Sequence, residues 1–145
     1  THPVISEILA DNESGLRDGD GELSDWIEIF NPTRSAVELA AYFLTDDATE
    51  LTKWFFPAYL LGPGERVVVF ASGKGDAGPD GELHTNFRLR ANGEYLALVA
   101  PGGTMILHEY APTYPAQSPD GAYGIIAGDL SLLKRMASAC LKGFP

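Results

Sequence analysis

The sequence predicts an all-β protein, built as one antiparallel two-sheet sandwich over residues 1–145. Short runs rich in β-branched and aromatic residues recur between clusters of Gly, Pro, Asn and Asp, and the 16 Gly and 10 Pro are scattered along the chain. Each such residue breaks a helix or demands a turn, so a helical bundle would not tolerate them, whereas a sandwich of short strands is punctuated by them. A chain of 145 residues has the size of one domain, and such a domain buries roughly two thirds of its unfolded surface.

The expected strands, in order, are Val4–Ala10, Asp25–Asn31, Ala36–Leu39, Tyr42–Thr45, Lys53–Phe56, Arg66–Ala71, Glu94–Ala100 and Met105–Tyr110. Asn31-Pro32 and Leu61-Gly62-Pro63-Gly64 supply fixed or positive φ between them, and Ala100-Pro101-Gly102-Gly103 has the composition of a hairpin turn. Consecutive strands are therefore expected to be antiparallel. Within Trp26–Phe30, Ile27 and Ile29 share one face while Trp26, Glu28 and Phe30 share the other. The pattern leaves open which row lines the core. In the tail, Leu130, Leu133, Met136, Ala137 and Cys140 fall near helical spacing, so Leu130–Leu141 is compatible with a short C-terminal helix, with a strand as the alternative.

Charge excludes one class of function. A net charge of −10 meets a phosphate backbone with repulsion and offers no basic stripe to displace its counterions, so nucleic acid is not an expected partner. No apolar run reaches the roughly 18 residues that would suggest a membrane-spanning helix, and the first residues lack the charged and apolar regions of a signal peptide. No membrane insertion is expected. The abrupt start in a strand suggests a module taken from a longer protein. The lone Cys140 excludes an intramolecular disulfide framework.

Several blocks, in order, resemble the lamin tail domain, an immunoglobulin-like sandwich found at the end of nuclear intermediate-filament proteins and in many large bacterial proteins. They are Val4-Ile5-Ser6-Glu7-Ile8, Asp25-Trp26-Ile27-Glu28-Ile29-Phe30-Asn31-Pro32, Val37-Glu38-Leu39, Tyr42-Phe43-Leu44-Thr45-Asp46-Asp47 and Trp54-Phe55-Phe56-Pro57. Further on come Leu61-Gly62-Pro63-Gly64-Glu65, Val69-Phe70-Ala71-Ser72-Gly73, His84-Thr85-Asn86-Phe87-Arg88-Leu89 and Gly93-Glu94-Tyr95-Leu96-Ala97-Leu98. The acidic loop before Asp25 is similar to the bacterial branch. The resemblance implies an immunoglobulin-like fold and an interaction role, and no catalytic residues. The Cys, Trp, Cys arrangement of true immunoglobulin domains is absent, so the core must close by packing alone. The ending over residues 130–145 also departs from the Pro-Gly-Ala-Pro-Asn type common in bacterial relatives.

No catalytic constellation stands out. His2, His84 and His108 are far apart and follow no zinc spacing, and Ser72-Gly73-Lys74-Gly75 lacks the leading glycine of a phosphate-binding loop. For a metal, the segment holding Asp11, Asp18, Asp20, Glu22 and Asp25 is the place to look, because calcium takes six to eight oxygens and closely spaced acids can supply them. Asp18, Asp20 and Asp25 are the candidate calcium ligands. The EF-hand pattern fails there, since Leu23 stands at the turn-glycine position and Ile29 at the bidentate Glu position, and the plainer alternative is a solvated acidic turn. Trp26 and Trp54 sit inside strand patterns, which favours core positions over an exposed carbohydrate platform.

The expected function is a non-catalytic structural or protein-interaction module of a larger, bacterial surface or secreted protein, with an unidentified protein or cell-surface partner. The alternative is a calcium-stabilised carbohydrate or cell-surface binding module.

Overall fold

A computed structural model of the chain describes residues 2–10, 16–75, 82–90, 93–111, 114, 123–125 and 133–135. Among them are twelve strands: β1 (Val4–Leu9), β2 (Asp25–Phe30), β3 (Val37–Glu38), β4 (Phe43–Thr45), β5 (Trp54–Phe55), β6 (Leu60–Leu61), β7 (Arg66–Ala71), β8 (Leu83–His84), β9 (Leu96–Val99), β10 (Ile106–Tyr110), β11 (Tyr123–Ile125) and β12 (Leu133–Arg135). They form a six-stranded sheet in the order β12-β11-β1-β2-β7-β8, a four-stranded sheet in the order β10-β9-β4-β5, and a small ribbon of β3 and β6. The all-β sandwich read from the sequence is the fold found.

All eight expected strands are present, Arg66–Ala71 with its expected bounds and the others trimmed at their ends. The strands not foreseen, β6, β8, β11 and β12, have two or three residues each, too few to show a period. One expectation is corrected: β8 runs parallel to β7, with Val69 opposite Leu83 and Phe70 opposite His84. Eleven residues separate Ala71 from Leu83, and a long crossover lets a strand return in the same direction where a tight hairpin cannot. In the tail, Leu133–Arg135 pairs antiparallel with β11 and is strand, so the helix alternative fails for those three residues. The apolar spacing satisfied a helix, but the free edge of β11 offers backbone partners to an extended segment. The rest of Leu130–Leu141, and Cys140 with it, lies outside the described residues.

Both rows of β2 are buried from Trp26 to Ile29. Ile27 and Ile29 face the main core together with Ile5, Ile8, Val67, Val69, Leu44, Leu96 and Leu98. Trp26 lies on the opposite face of the six-stranded sheet, in a second cluster with Leu9 and Phe70. This sorting depends on a bulge in β1: Ile5 pairs with Ile29 and Glu7 pairs with Glu28, leaving Ser6 as the extra residue. Strict alternation would put Ile5 and Glu7 on one face; the bulge lets Ile5 and Ile8 both turn inward while Glu7 joins Glu28 on the other side.

The turns named from the sequence are tied to one another. Asn31, fully buried, donates through Nδ2 to the carbonyls of Ser35 (2.8 Å), Leu61 (3.0 Å) and Gly62 (3.1 Å), and accepts on Oδ1 from the Thr33 N–H (3.0 Å) and hydroxyl (2.6 Å). Gly64, at φ 73°, turns its N–H to the Asn31 carbonyl at 2.8 Å. A side chain would be strained at that φ, which is why the Gly-Pro-Gly turn needs its second glycine.

Candidate functional site

The acidic loop folds around one carboxylate. Asp18 accepts on Oδ1 from the backbone N–H groups of Asp20 and Glu22, both at 3.0 Å, and on Oδ2 from the Ser24 hydroxyl at 3.1 Å. Burial alone would raise its pKa, but hydrogen bonds from Glu22, Lys74, Ser24 and Asp20 outweigh it and hold the carboxyl at about 2. The side chains of Asp18, Asp20 and Glu22 place one oxygen each within 4.8 Å of one another. Asp25, the third residue expected to join Asp18 and Asp20, is not in that group; it starts β2 opposite Ala71. Asp11 lies outside the described residues.

A cation already sits among the three carboxylates. The Lys74 ammonium is 3.0 Å from Asp18, 2.6 Å from Asp20 and 2.8 Å from Glu22. The carboxylates of Asp20, Glu22 and Asp18 push its pKa up, so it stays charged. The mutual repulsion of the three carboxylates is thus relieved by a side chain arriving 54 residues after Asp20. Sequence reading singled out Lys74 only as part of a glycine-rich turn, since nothing local marks a contact of that range. The loop is further tied to the residue just ahead of β8 by the Gly19 N–H, which donates to the Glu82 carboxylate at 2.7 Å.

Folding also assembles a serine, a histidine and a carboxylate that sequence spacing did not suggest. The Ser72 hydroxyl lies 2.8 Å from His84 Nδ1, and His84 Nε2 lies 3.4 Å from Glu82. The chemistry of a general base is there in outline, but access is not. Ser72 is 4% exposed and His84 0%, the Ser72 oxygen already accepts the Lys74 N–H at 3.2 Å, and the His84 ring stacks on Phe70 at 5.4 Å. Ser72 and His84 are a buried polar node, capped by the part-exposed Glu82, that joins the end of β7 to β8 and the acidic loop.

One open and mainly apolar feature among the described residues is a groove of about 240 Å³ between β5 and β8, the edge strands of the two large sheets. Trp54 and Leu83 form its floor, in front of the fully buried His84, and Phe55, Pro57, Lys53 and Asn86 stand around it. Trp54 is buried, as the sequence predicted, and meets Phe56 edge-on at 4.9 Å. Phe55, its neighbour, points the other way and is 65% exposed. Alternation along a strand makes this pairing unavoidable: a buried Trp54 sends Phe55 outward. At one end, Asn86 donates to the Lys53 carbonyl at 2.8 Å, and the Lys53 ammonium holds Asp46 at 2.6 Å. Neither tryptophan is an exposed platform; Trp26 is 2% and Trp54 6% exposed.

Compared with known families, residues 1–112 match the family model described as Lamin Tail Domain. No curated protein matches the chain.

Proposed function

The chain belongs to the lamin tail domain family, a family of non-enzymatic, immunoglobulin-like interaction modules, and from this premise we propose that it binds a protein or cell-surface partner through the groove between β5 and β8. The observation that carries the reading is Phe55, a large aromatic left 65% exposed beside an apolar-floored groove at the meeting of two sheet edges. Exposed aromatics beside pockets are the usual anchors of protein recognition, and sheet edges accept extended chains through backbone hydrogen bonds. The parent is a larger, bacterial surface or secreted protein, a setting supported by the acidic composition and the likeness of the acidic loop to bacterial members of the family.

Phe55→Ser tests this. Being largely exposed, the substitution should leave the melting temperature close to the parent's, since surface changes cost within about 0.5 kcal/mol. Proteins of the cell envelope retained by the immobilised parent should pass through the variant. Retention that is unaffected by the substitution would remove the groove from the binding surface.

The second reading, a calcium-stabilised surface-binding module, is favoured by the convergence of Asp18, Asp20 and Glu22. Calcium would have to displace the Lys74 ammonium from the same oxygens. On this reading calcium at about 100 times its dissociation constant adds about 2.7 kcal/mol, the melting temperature rises with calcium and falls with chelator, and Asp20→Asn blunts the change. Identical melting curves with calcium and with chelator would leave Lys74 as the counter-ion of the three carboxylates.

A further inference from the structure

The start of β1 is held by side chains of the opposite sheet. β11 pairs with β1 only at Glu7 and Ile8, so ahead of the bulge Ile5 has no strand partner on that side among the described residues. Its backbone groups are taken by β10 instead. The Ile5 N–H donates to His108 Nδ1 at 2.9 Å, and the Tyr110 hydroxyl donates to the Ile5 carbonyl at 2.8 Å. Two bulges make this possible: one at Ser6 in β1, and one between Ile106 and His108 in β10. Bulges re-aim side chains and backbone groups, and here they bring the imidazole and the phenol, rings 5.2 Å apart, onto a single residue.

We propose that His108 and Tyr110 form an acid-sensitive latch, which holds the bulged start of β1 against the four-stranded sheet while His108 is neutral and releases it when His108 takes up a proton. Nδ1 accepts the Ile5 N–H only with its lone pair. A proton there sets one N–H against another and leaves a part-buried backbone donor without a partner, a loss that favours local opening.

Among the described residues, the titratable groups facing His108 are few. His2 approaches from the segment before β1, Glu109 lies on its own strand with its carboxylate held by the Tyr95 hydroxyl at 2.6 Å, and Tyr110 packs against its ring. Glu7 lies beyond the bulge and on the other face. Burial, then His2, lowers the imidazole's pKa from 6.5 to about 4 against the opposing pull of Glu109. A depressed folded value means the contact is fully present above the unfolded value and is lost as pH falls through about 4.

Amide hydrogen exchange on the isotope-labelled whole chain, followed from pH 7 to pH 3.5, reads the latch directly. The Ile5 amide should be protected at pH 7 and lose about tenfold or more of its protection as the His108 ring titrates, while Ile27 and Ile29 at the centre of the sheet keep theirs. His108→Asn places an oxygen where Nδ1 stood and cannot titrate, so its Ile5 amide should stay protected throughout. Ile5 protection that ignores the His108 titration would overturn the proposal, as would Ile5 and Ile29 losing protection together, or the same acid loss in His108→Asn. The parent's own titration decides the matter should the variant not fold.

Discussion

Replacing Trp26 with alanine should lower the melting temperature by on the order of 10 °C, the shift for a loss of about 3–5 kcal/mol in a domain of this size. The ring is 2% exposed and packs with Leu9 (0%) and Phe70 (5%) on the face of the six-stranded sheet opposite the main core. That cluster is small, so removing its largest member leaves little to collapse into the gap. The indole Nε1 has no hydrogen-bond partner among the described residues. Trp26→Phe should therefore cost less than half as much, because only packing is reduced and no hydrogen bond is broken. Thermal melts of the three proteins check this, and equal losses for the two variants would mean that the indole N–H, not the ring, carries the effect. Phe87→Ala, on the main core side at 6% exposure, should fall in the same range as Trp26→Ala.

The second large effect is a reversal of the usual acid sensitivity at Glu28. Its carboxyl is 2% exposed. Burial foremost, with the Glu7 charge beside it, raises its pKa from 4.5 to about 7, although the Ser6 hydroxyl at 2.5 Å and the Arg66 guanidinium at 3.4 Å pull it down. The folded value lies above the unfolded one, so this group's contribution is fully present below about 4.5 and is lost as pH rises through about 7. The amount is on the order of 3 kcal/mol. Glu28→Gln keeps an oxygen for Ser6 and removes the ionisation. In urea unfolding, the variant should match the parent near pH 4.5 and exceed it clearly at pH 8. His108 titrates in the opposite sense over part of this range, but it is common to both proteins and cancels in their difference. A variant less stable than the parent at pH 8 would show Glu28 to be ionised and well paired in the folded state.

How much of this was legible in the sequence follows from the range of the interactions involved. Local pattern and turn chemistry determined the all-β class, eight of the strands, the turns at Asn31 and Gly64, and the burial of both tryptophans, because period, propensity and fixed φ act over a few residues. The blocks that resemble a lamin tail domain did the same for the family. β6, β8, β11 and β12 were hidden, since so short a stretch has no period to read unless flanking residues extend it, and the parallel return of β8 depends on a crossover whose direction no turn residue specifies.

Tertiary structure alone decided the rest. The bulge at Ser6 chose which side chains of β1 turn inward, and a strict alternation rule cannot announce its own exception. The acids Asp18 and Asp20 were legible as a charged cluster, but the partner that neutralises them, Lys74, is distant in sequence, as is His108 from Ile5 and Ser72 from His84. Charge and hydrogen bonding reward proximity in space, and proximity between such residues exists only after β8 has paired with β7 and the two sheets have closed on each other.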